Sequence, residues 1–484
     1  MTTDNRRPKA SRGEEAPRRD GKALSLRDID NDALKVVRKL LAAGHEAYFV
    51  GGCVRDLYLS RKPKDFDVAT SARPEQIRRV FRNSRIIGRR FKLAHVFFGP
   101  KIIETSTFRS NPSESDESEE GDDLLITHDN EWGTIEEDAR RRDFTINGLF
   151  YDIETGKIVD FVDGVADLDR GIIRTIGEPM VRFREDPVRM IRAIKFAARL
   201  DFTIEPETWE ALLECAPDIA RCSRARLVEE LYKLLRGGSA GRAFELMLEA
   251  NLFQNIWPSF ISLFDDPADE EAQGEAQGGG LHRPIRGEPP ELPSALFWRY
   301  LAALDDYVTE TGQTPSNGVI QAILFAPLLD RELLEFNRAD LDIRIDDLMT
   351  PPCASLGVAR RDRELARQIF MAHRRMIHPS RKRGRNKTSL VQRQYFHDAL
   401  LFLGFSVEAR DRDGSALEHW RALANLRLPE GSGGGQGGGG LEREADSDGA
   451  SKRKRGRRRR GKGKSRRSGS GRSGRPPHAS AGEN

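Results

Sequence analysis

The chain's 484 residues are enough for two to four domains with cores of their own. Charged residues make up 32% of it, its mean hydropathy is −0.60, and no apolar run approaches the 18 or so residues of a membrane span, so contact with a membrane is not expected. The net charge of +4 hides an asymmetry: Lys452 to Arg475 carries 14 Lys and Arg and no acid, so a basic tail offsets an acidic body, a pattern that points to a polyanionic partner.

Residues 1 to 25 are polar, carry both signs of charge and lack the apolar core of a secretory signal; they read as disordered. A helix is expected from an N-cap at Asp30 or Asn31 to Gly44, with Leu34, Val37, Leu40 and Leu41 as its apolar stripe. Ala47 to Val50 reads as a strand, followed by Gly51-Gly52 and a helix from Val54 to about Leu59. Asp65 to Ala69 reads as a second strand, Pro74 to Phe81 as a helix, and Ala94 to Phe98 with Ile102 to Thr107 as a hairpin around Gly99-Pro100. Ser113 to Asp123 holds seven acids and no base, and reads as a disordered insert. Ile135 to Arg142 has helical spacing, and Phe150 to Phe161 reads as a second hairpin turning at Thr155-Gly156. From Asp186 the pattern is helical, over 186–200, 206–215, 224–236 and 241–250. Residues 266–292 are rich in Gly, Pro and Glu and read as a loop or linker; helical spacing resumes from 294 to 426, and Gly431 to Gly440 leads flexibly into the tail. The four cysteines, Cys53, Cys215, Cys222 and Cys353, form no CxxC and no histidine cluster accompanies them. Neither a zinc site nor a disulfide framework is expected, and a cytoplasmic setting is.

Chemistry concentrates at Asp65-Phe66-Asp67. On a strand the two carboxylates project to one side and Phe66 into the core. Two carboxylates so close repel unless a cation lies between them, and Mg²⁺ favours a few carboxylates plus substrate phosphates. Glu104, on a neighbouring expected strand with Ile103 and Thr105 turned away, supplies a third. An acid pair alone is weak evidence, since such clusters are often structural. The preceding Gly51-Gly52, between a strand and a helix, strengthens it by letting backbone N–H groups approach a phosphate. Val54-Arg55-Asp56 breaks the GxGxxG pattern of dinucleotide folds. Arg55 either meets a triphosphate oxygen or pairs with a strand acid.

Gly51-Gly52-Cys53-Val54-Arg55-Asp56 and Lys64-Asp65-Phe66-Asp67-Val68-Ala69-Thr70 resemble the head of the class II nucleotidyltransferases, the superfamily of bacterial poly(A) polymerases and CCA-adding tRNA nucleotidyltransferases. Arg141-Arg142-Asp143-Phe144-Thr145-Ile146-Asn147 resembles the next motif, and Arg184-Glu185-Asp186-Pro187-Val188-Arg189-Met190-Ile191-Arg192 the nucleotide-selecting one. The four motifs fall in the family's order across residues 47 to 200, and a weaker resemblance continues to about 260. Ile86 to Gly99 (IIGRRFKLAHVFFG) is similar to the pattern that marks poly(A) polymerases within the superfamily, as is the basic tail.

The resemblance implies metal ligands at Asp65, Asp67 and Glu104, holding two Mg²⁺ ions. It implies nucleotide contacts at Gly51, Gly52, Arg55, Arg142, Asp143, Asn147, Asp186, Arg189 and Arg192. Arg142 and Asp143 would meet the ribose or hold the site's geometry, and Asp186 and Arg189 would read the base. An acceptor beside a donor suits adenine or cytosine and leaves buried polar groups unpaired against guanine or uracil. It does not separate adenine from cytosine, so that discrimination is assigned to pocket size or to flanking contacts near Arg89 and Arg90. The alternative for Asp186 is a helix N-cap with Arg189 exposed. Cys53 stands where a small residue is frequent in the family and is not expected to act in catalysis. His397-Asp398 reads as a helical surface or packing pair, and Arg381 to Lys387 as either part of an RNA path or a solvated stretch.

The expected fold class is α+β, with disordered termini. A mixed-sheet catalytic head spans 26–180, a helical neck 181–265, a linker 266–292 and a helical RNA-binding body 293–428; the linker and basic tail span 429–484. The expected activity is addition of AMP from ATP to RNA 3′ ends, with a CCA-adding enzyme, or an RNA-binding protein with an inactive head, as rivals.

Overall fold

The computed structural model describes residue 24 and residues 26–88, 92–110, 131–258, 293–335, 338–377 and 389–425. The acidic insert, Arg89 and Arg90, the linker 266–292, the cluster Arg381 to Lys387 and the basic tail lie outside these residues.

Asp30 starts the first helix, α1 (Asn31–Ala42), by accepting hydrogen bonds from the Asp32 and Ala33 backbone N–H groups at 3.0 and 3.1 Å. Leu34, Val37 and Leu40 are buried along its stripe, and Gly44, at φ 84°, turns the chain out. The head then runs β1 (Ala47–Val50), α2 (Gly52–Tyr58), β2 (Asp67–Thr70), α3 (Pro74–Val80), β3 (Ser84–Ile87), β4 (Leu93–Phe98) and β5 (Lys101–Thr107). It continues with α4 (Ile135–Arg140), β6 (Leu149–Asp152), β7 (Lys157–Asp160) and α5 (Gly164–Arg170).

The seven strands form one sheet in the order β3-β4-β5-β2-β1-β6-β7, antiparallel throughout except for the parallel pair β2–β5. Alternation gives the sheet two faces. Phe49, Val68, Ala94, Val96 and Ile103 point into a core shared with Leu34 of α1 and Ile77 of α3. Val50, Ala69, Phe150 and Val159 point the other way, against Phe108 and Ala139 of α4. Full burial of one such Val, Ile or Phe stabilises by about 1.5–3 kcal/mol, so both faces hold the sheet in place.

Past a short parallel pair, β8 (Ile172–Ile173) and β9 (Thr203–Ile204), the rest is helical. The first set is α6 (Pro179–Glu185), α7 (Val188–Leu200), α8 (Pro206–Cys215), α9 (Arg224–Leu235), α10 (Ala240–Glu249) and α11 (Leu252–Ile256). The second is α12 (Pro293–Thr311), α13 (Asn317–Glu335), α14 (Arg338–Leu356), α15 (Arg360–Ile377), α16 (Phe396–Ala409) and α17 (Ser415–Asn425). The α+β class is as expected. Six elements were not: β3, β8 and β9, of two to four residues, too few for a pattern, and α5, α6 and α11, of five to seven residues, which span too few turns to show a period.

Candidate active site and nucleotide cleft

Register between strands brings the carboxylates together. β1 pairs with β2 from Ala47–Thr70 to Val50–Asp67, and the pairing stops there because Gly51, at φ 75°, turns the chain into α2. Asp65 therefore precedes the strand, which corrects the expectation that it shares a strand face with Asp67. The parallel β2–β5 ladder pairs Val68 with Thr105, so Asp67 falls beside Glu104 one rung earlier. Ile103 and Thr105 are buried and turned away, while Glu104 is open and lies 3.5 Å from His95 Nε2 on β4. Asp67 opens onto solvent along one side. Even so, crowding by protein, then the Glu104 charge and, less, that of Asp65 push its carboxyl up to about 6, against the pull of Arg142.

Among the described residues no three acid, histidine or cysteine groups form a ready-made metal cage. Mg²⁺ seldom uses one; it takes one or two carboxylates and completes its shell with water and substrate phosphate. Three carboxylates within electrostatic range of one another fit that chemistry.

The glycine turn has little room. A Cβ on Gly51 would meet Arg142 Nη1 at 3.3 Å and is disfavoured by the positive φ. Arg55, just inside α2, is 2% exposed. It donates to Asp56 Oδ1 from Nε and Nη2 and to Asn147 Oδ1 from Nη1 at 2.7 Å. This is the ion-pair role left open in the sequence, with an acid on the same helix instead of on a strand. The Cys53 thiol donates to the Val50 carbonyl at 3.4 Å, and burial pushes it up to about 12, so it stays protonated. Arg142 donates to Asp138 Oδ2 at 2.9 Å and lies over the Phe150 ring, which fixes its guanidinium near Gly51 and Asp67.

Asp143 joins the sheet to the helices. Its Oδ1 accepts from the Phe144 backbone N–H at 2.8 Å and from Asn147 Nδ2 at 3.1 Å; its Oδ2 accepts from Arg192 Nε at 2.8 Å. Burial alone would raise this carboxyl, but the Arg192 charge and these bonds hold it well below the usual range. Asn147 sits on a 3₁₀ turn against which α5 packs so closely that a Cβ on Gly164 would lie 2.1 Å from the Thr145 oxygen. Arg192 reaches Glu230 on α9 at 3.5 Å, and Lys195 and Lys233 donate to the same carboxylate at 2.5 and 3.1 Å. One acid among three cations has two consequences. Glu230 is held down at about 2, burial notwithstanding, and Lys195, with burial and the Arg192 charge against it, falls to about 8. Phe196 packs beneath Arg55, Arg192 and Lys195, at 5.1, 5.5 and 4.9 Å from its ring centre, as a core residue.

Asp186 and Arg189 lie between α6 and α7. The Asp186 carboxylate makes no cap bond to α7; both oxygens accept from Arg226 of α9, at 2.8 and 2.6 Å. Arg189 is buried, and its Nη1 donates to Glu185 Oε2 and to the Arg182 carbonyl, each at 2.8 Å. The N-cap alternative with Arg189 exposed is therefore set aside. Arg142, Asp143, Asp186, Arg189 and Arg192 line one cleft of about 370 Å³ together with Arg226, Glu229, Glu230 and Lys233 of α9. These last four went unnamed from sequence. Their spacing at positions 226, 229, 230 and 233 marks one polar helix face, but nothing local links that face to Asp186. His397-Asp398 lies on a helix surface: His397 is exposed beside Phe396, and Asp398, half-buried, accepts from Ser316 Oγ at 2.7 Å.

The family described as Poly A polymerase head domain matches residues 47–174, and that described as Probable RNA and SrmB- binding site of polymerase A matches residues 201–263. The chain is 38% identical over 413 residues to a Poly(A) polymerase I of Escherichia coli O6:H1, covering 83% of this chain and 84% of that one. It is 37% identical over 228 residues to a CCA-adding enzyme of Bacillus subtilis, covering 47% and 55%. Among solved structures, a Bacillus stearothermophilus CCA-adding enzyme in complex with CTP aligns at a TM-score of 0.55 and 28% identity, covering 82% of each chain.

Proposed function

Because this chain belongs to the family of bacterial poly(A) polymerases and CCA-adding tRNA nucleotidyltransferases, we propose that it extends RNA 3′ ends with AMP from ATP, without a template, releasing pyrophosphate. One observation carries the choice within the family: in sequence, relatives named Poly(A) polymerase I match 57–83% of this chain, whereas the Bacillus relatives named CCA-adding enzyme match 46–48% of it.

In this reading Asp65, Asp67 and Glu104 hold Mg²⁺. A pair of such ions supplies activation of the attacking 3′-oxygen and neutralisation of the leaving pyrophosphate. Arg142, fixed by Asp138 beside Asp67 and Gly51, meets the triphosphate or ribose. Asp143, Asn147 and Arg192 keep the carboxylate side and the cleft in one rigid arrangement, with Arg55 bracing Asn147. Asp186 reads the base: each oxygen takes one bond from Arg226 and keeps a lone pair for an amino group. Arg189 keeps donors beyond its bonds to Glu185 and Arg182 for the ring nitrogen. Adenine and cytosine satisfy that pair; guanine and uracil oppose acceptor to acceptor. No covalent enzyme intermediate is needed.

The test gives the purified protein a generic single-stranded RNA and a tRNA, with each nucleotide alone and with ATP plus CTP. Long A-tracts on the generic RNA are expected, few additions from CTP and fewer from GTP or UTP. Short, tRNA-restricted products containing C would replace this reading with CCA addition. No product at all would leave an RNA-binding protein.

A further inference from the structure

The sheet face that carries Asp67 continues past the carboxylates. In register, Asp67, Glu104, His95 and Arg85 form a single rung across β2, β5, β4 and β3. On one side of it Phe97 pairs with Ile102; on the other, Leu93 lies between Ile87 and Ser106. Alternation puts all of these on the face of Glu104, while Ala94, Val96 and Ile103 point into the core behind. Ile87 is 39% and Ile102 43% exposed, and Arg85 is exposed at the end of the rung. Ile87 and Ile102, with the half-buried Leu93 and Phe97 between them on the same face, give a ligand apolar surface beside the carboxylates.

The chemistry of the face suits one class of ligand. Single-stranded nucleic acids lay their bases on aromatic and apolar side chains and set their phosphates on cations beside them. Continuity favours the RNA strand as occupant, because β2, β5, β4 and β3 are successive neighbours in one sheet, with Glu104, His95 and Arg85 paired in register and Asp67 one position before the first β2–β5 pair. Charge favours the same direction of travel. With Asp67 and Glu104 given over to metal ions in the polymerase reading, the exposed cation left on the rung for a strand phosphate is Arg85, three strands away, about 14 Å on, within reach of a few nucleotides.

We propose that the β3–β5 face seats the last few nucleotides of the RNA strand being extended, with Phe97 and Ile102 against bases and Arg85 on a phosphate. The terminal hydroxyl is thereby delivered to the carboxylate rung. This rests on the reading of the chain as an RNA 3′-end polymerase.

The experiment uses the full chain, ATP and a short oligoadenylate of about six nucleotides. Ile102→Asp and Arg85→Glu change exposed positions and should leave the circular dichroism unaltered. Each should raise the KM for oligoadenylate about tenfold, Ile102→Asp by the loss of one stacked base and Arg85→Glu by turning a phosphate contact into a repulsion, with the KM for ATP unmoved. Phe97→Tyr should keep the wild-type value and Phe97→Ala should not. An unchanged oligoadenylate KM in both exposed variants, with the wild type extending the primer normally, overturns the proposal. So does a change confined to self-association in sedimentation, which would make the face a contact between copies. A wild type that extends no RNA sinks the polymerase reading and this proposal with it.

Discussion

At the scale of single residues, Asp67 shows how the site carries its cost. Crowding and the neighbouring Glu104 raise its carboxyl to about 6, so without a cation its charged form is disfavoured. The sign follows from linkage. A carboxyl raised from 3.8 to about 6 on folding adds stability as the pH falls through that window, and that gain is absent above it. Asp67→Asn should therefore remove transfer by on the order of a thousandfold, yet in metal-free buffer melt at or above the wild-type temperature at neutral pH. The wild type's gain on acidification between about 6 and 3.8 should disappear in the variant. A variant that keeps turnover with Mg²⁺ would remove Asp67 from the metal site, and one that melts far lower would make its role structural.

Among the elements, α9 has the larger unforeseen part. Its Arg226 stands 40 residues after Asp186 in the chain yet grips both oxygens of that carboxylate, and its Glu230 gathers Arg192, Lys195 and Lys233. A carboxylate held by a fork presents its free lone pairs in one direction, whereas an unheld one rotates. Arg226→Gln should raise the KM for ATP about tenfold and narrow the preference for ATP over GTP, with Arg226→Lys falling between. Steady-state kinetics with each nucleotide measure this. A uniform fall in kcat with the preference intact would assign Arg226 to stability alone.

For the molecule as a whole, the charge is divided between an acidic body and a tail holding 14 basic residues. Association with RNA releases counterions in proportion to the phosphates neutralised, so the tail should set much of the salt dependence. Truncation after Leu426 should weaken RNA binding and flatten the slope of log K against log salt, with little change in turnover at saturating RNA. An unchanged slope would show that the tail is no RNA arm.

Much of this was legible beforehand because it is local. The N-cap at Asp30, the strand Ala47–Val50, both hairpins and the helices from Val188 to Glu249 follow from spacing and turn residues within one element. The motif residues Asp143, Asp186, Arg189 and Arg192 could be named because their motifs resemble the family's, and they do share one cleft. What they touch could not be named. Asp65 falls off its strand because β1 ends at Gly51, a consequence of pairing with a different segment. Arg55 is turned inward by Asn147, 92 residues away, and Asp186 is held by Arg226. Asp67, Glu104, His95 and Arg85 become one rung only when four strands take their register. Periodicity fixes which side of its own element a side chain faces. The partner across the gap depends on how separate elements pack, and no single stretch of chain carries that information.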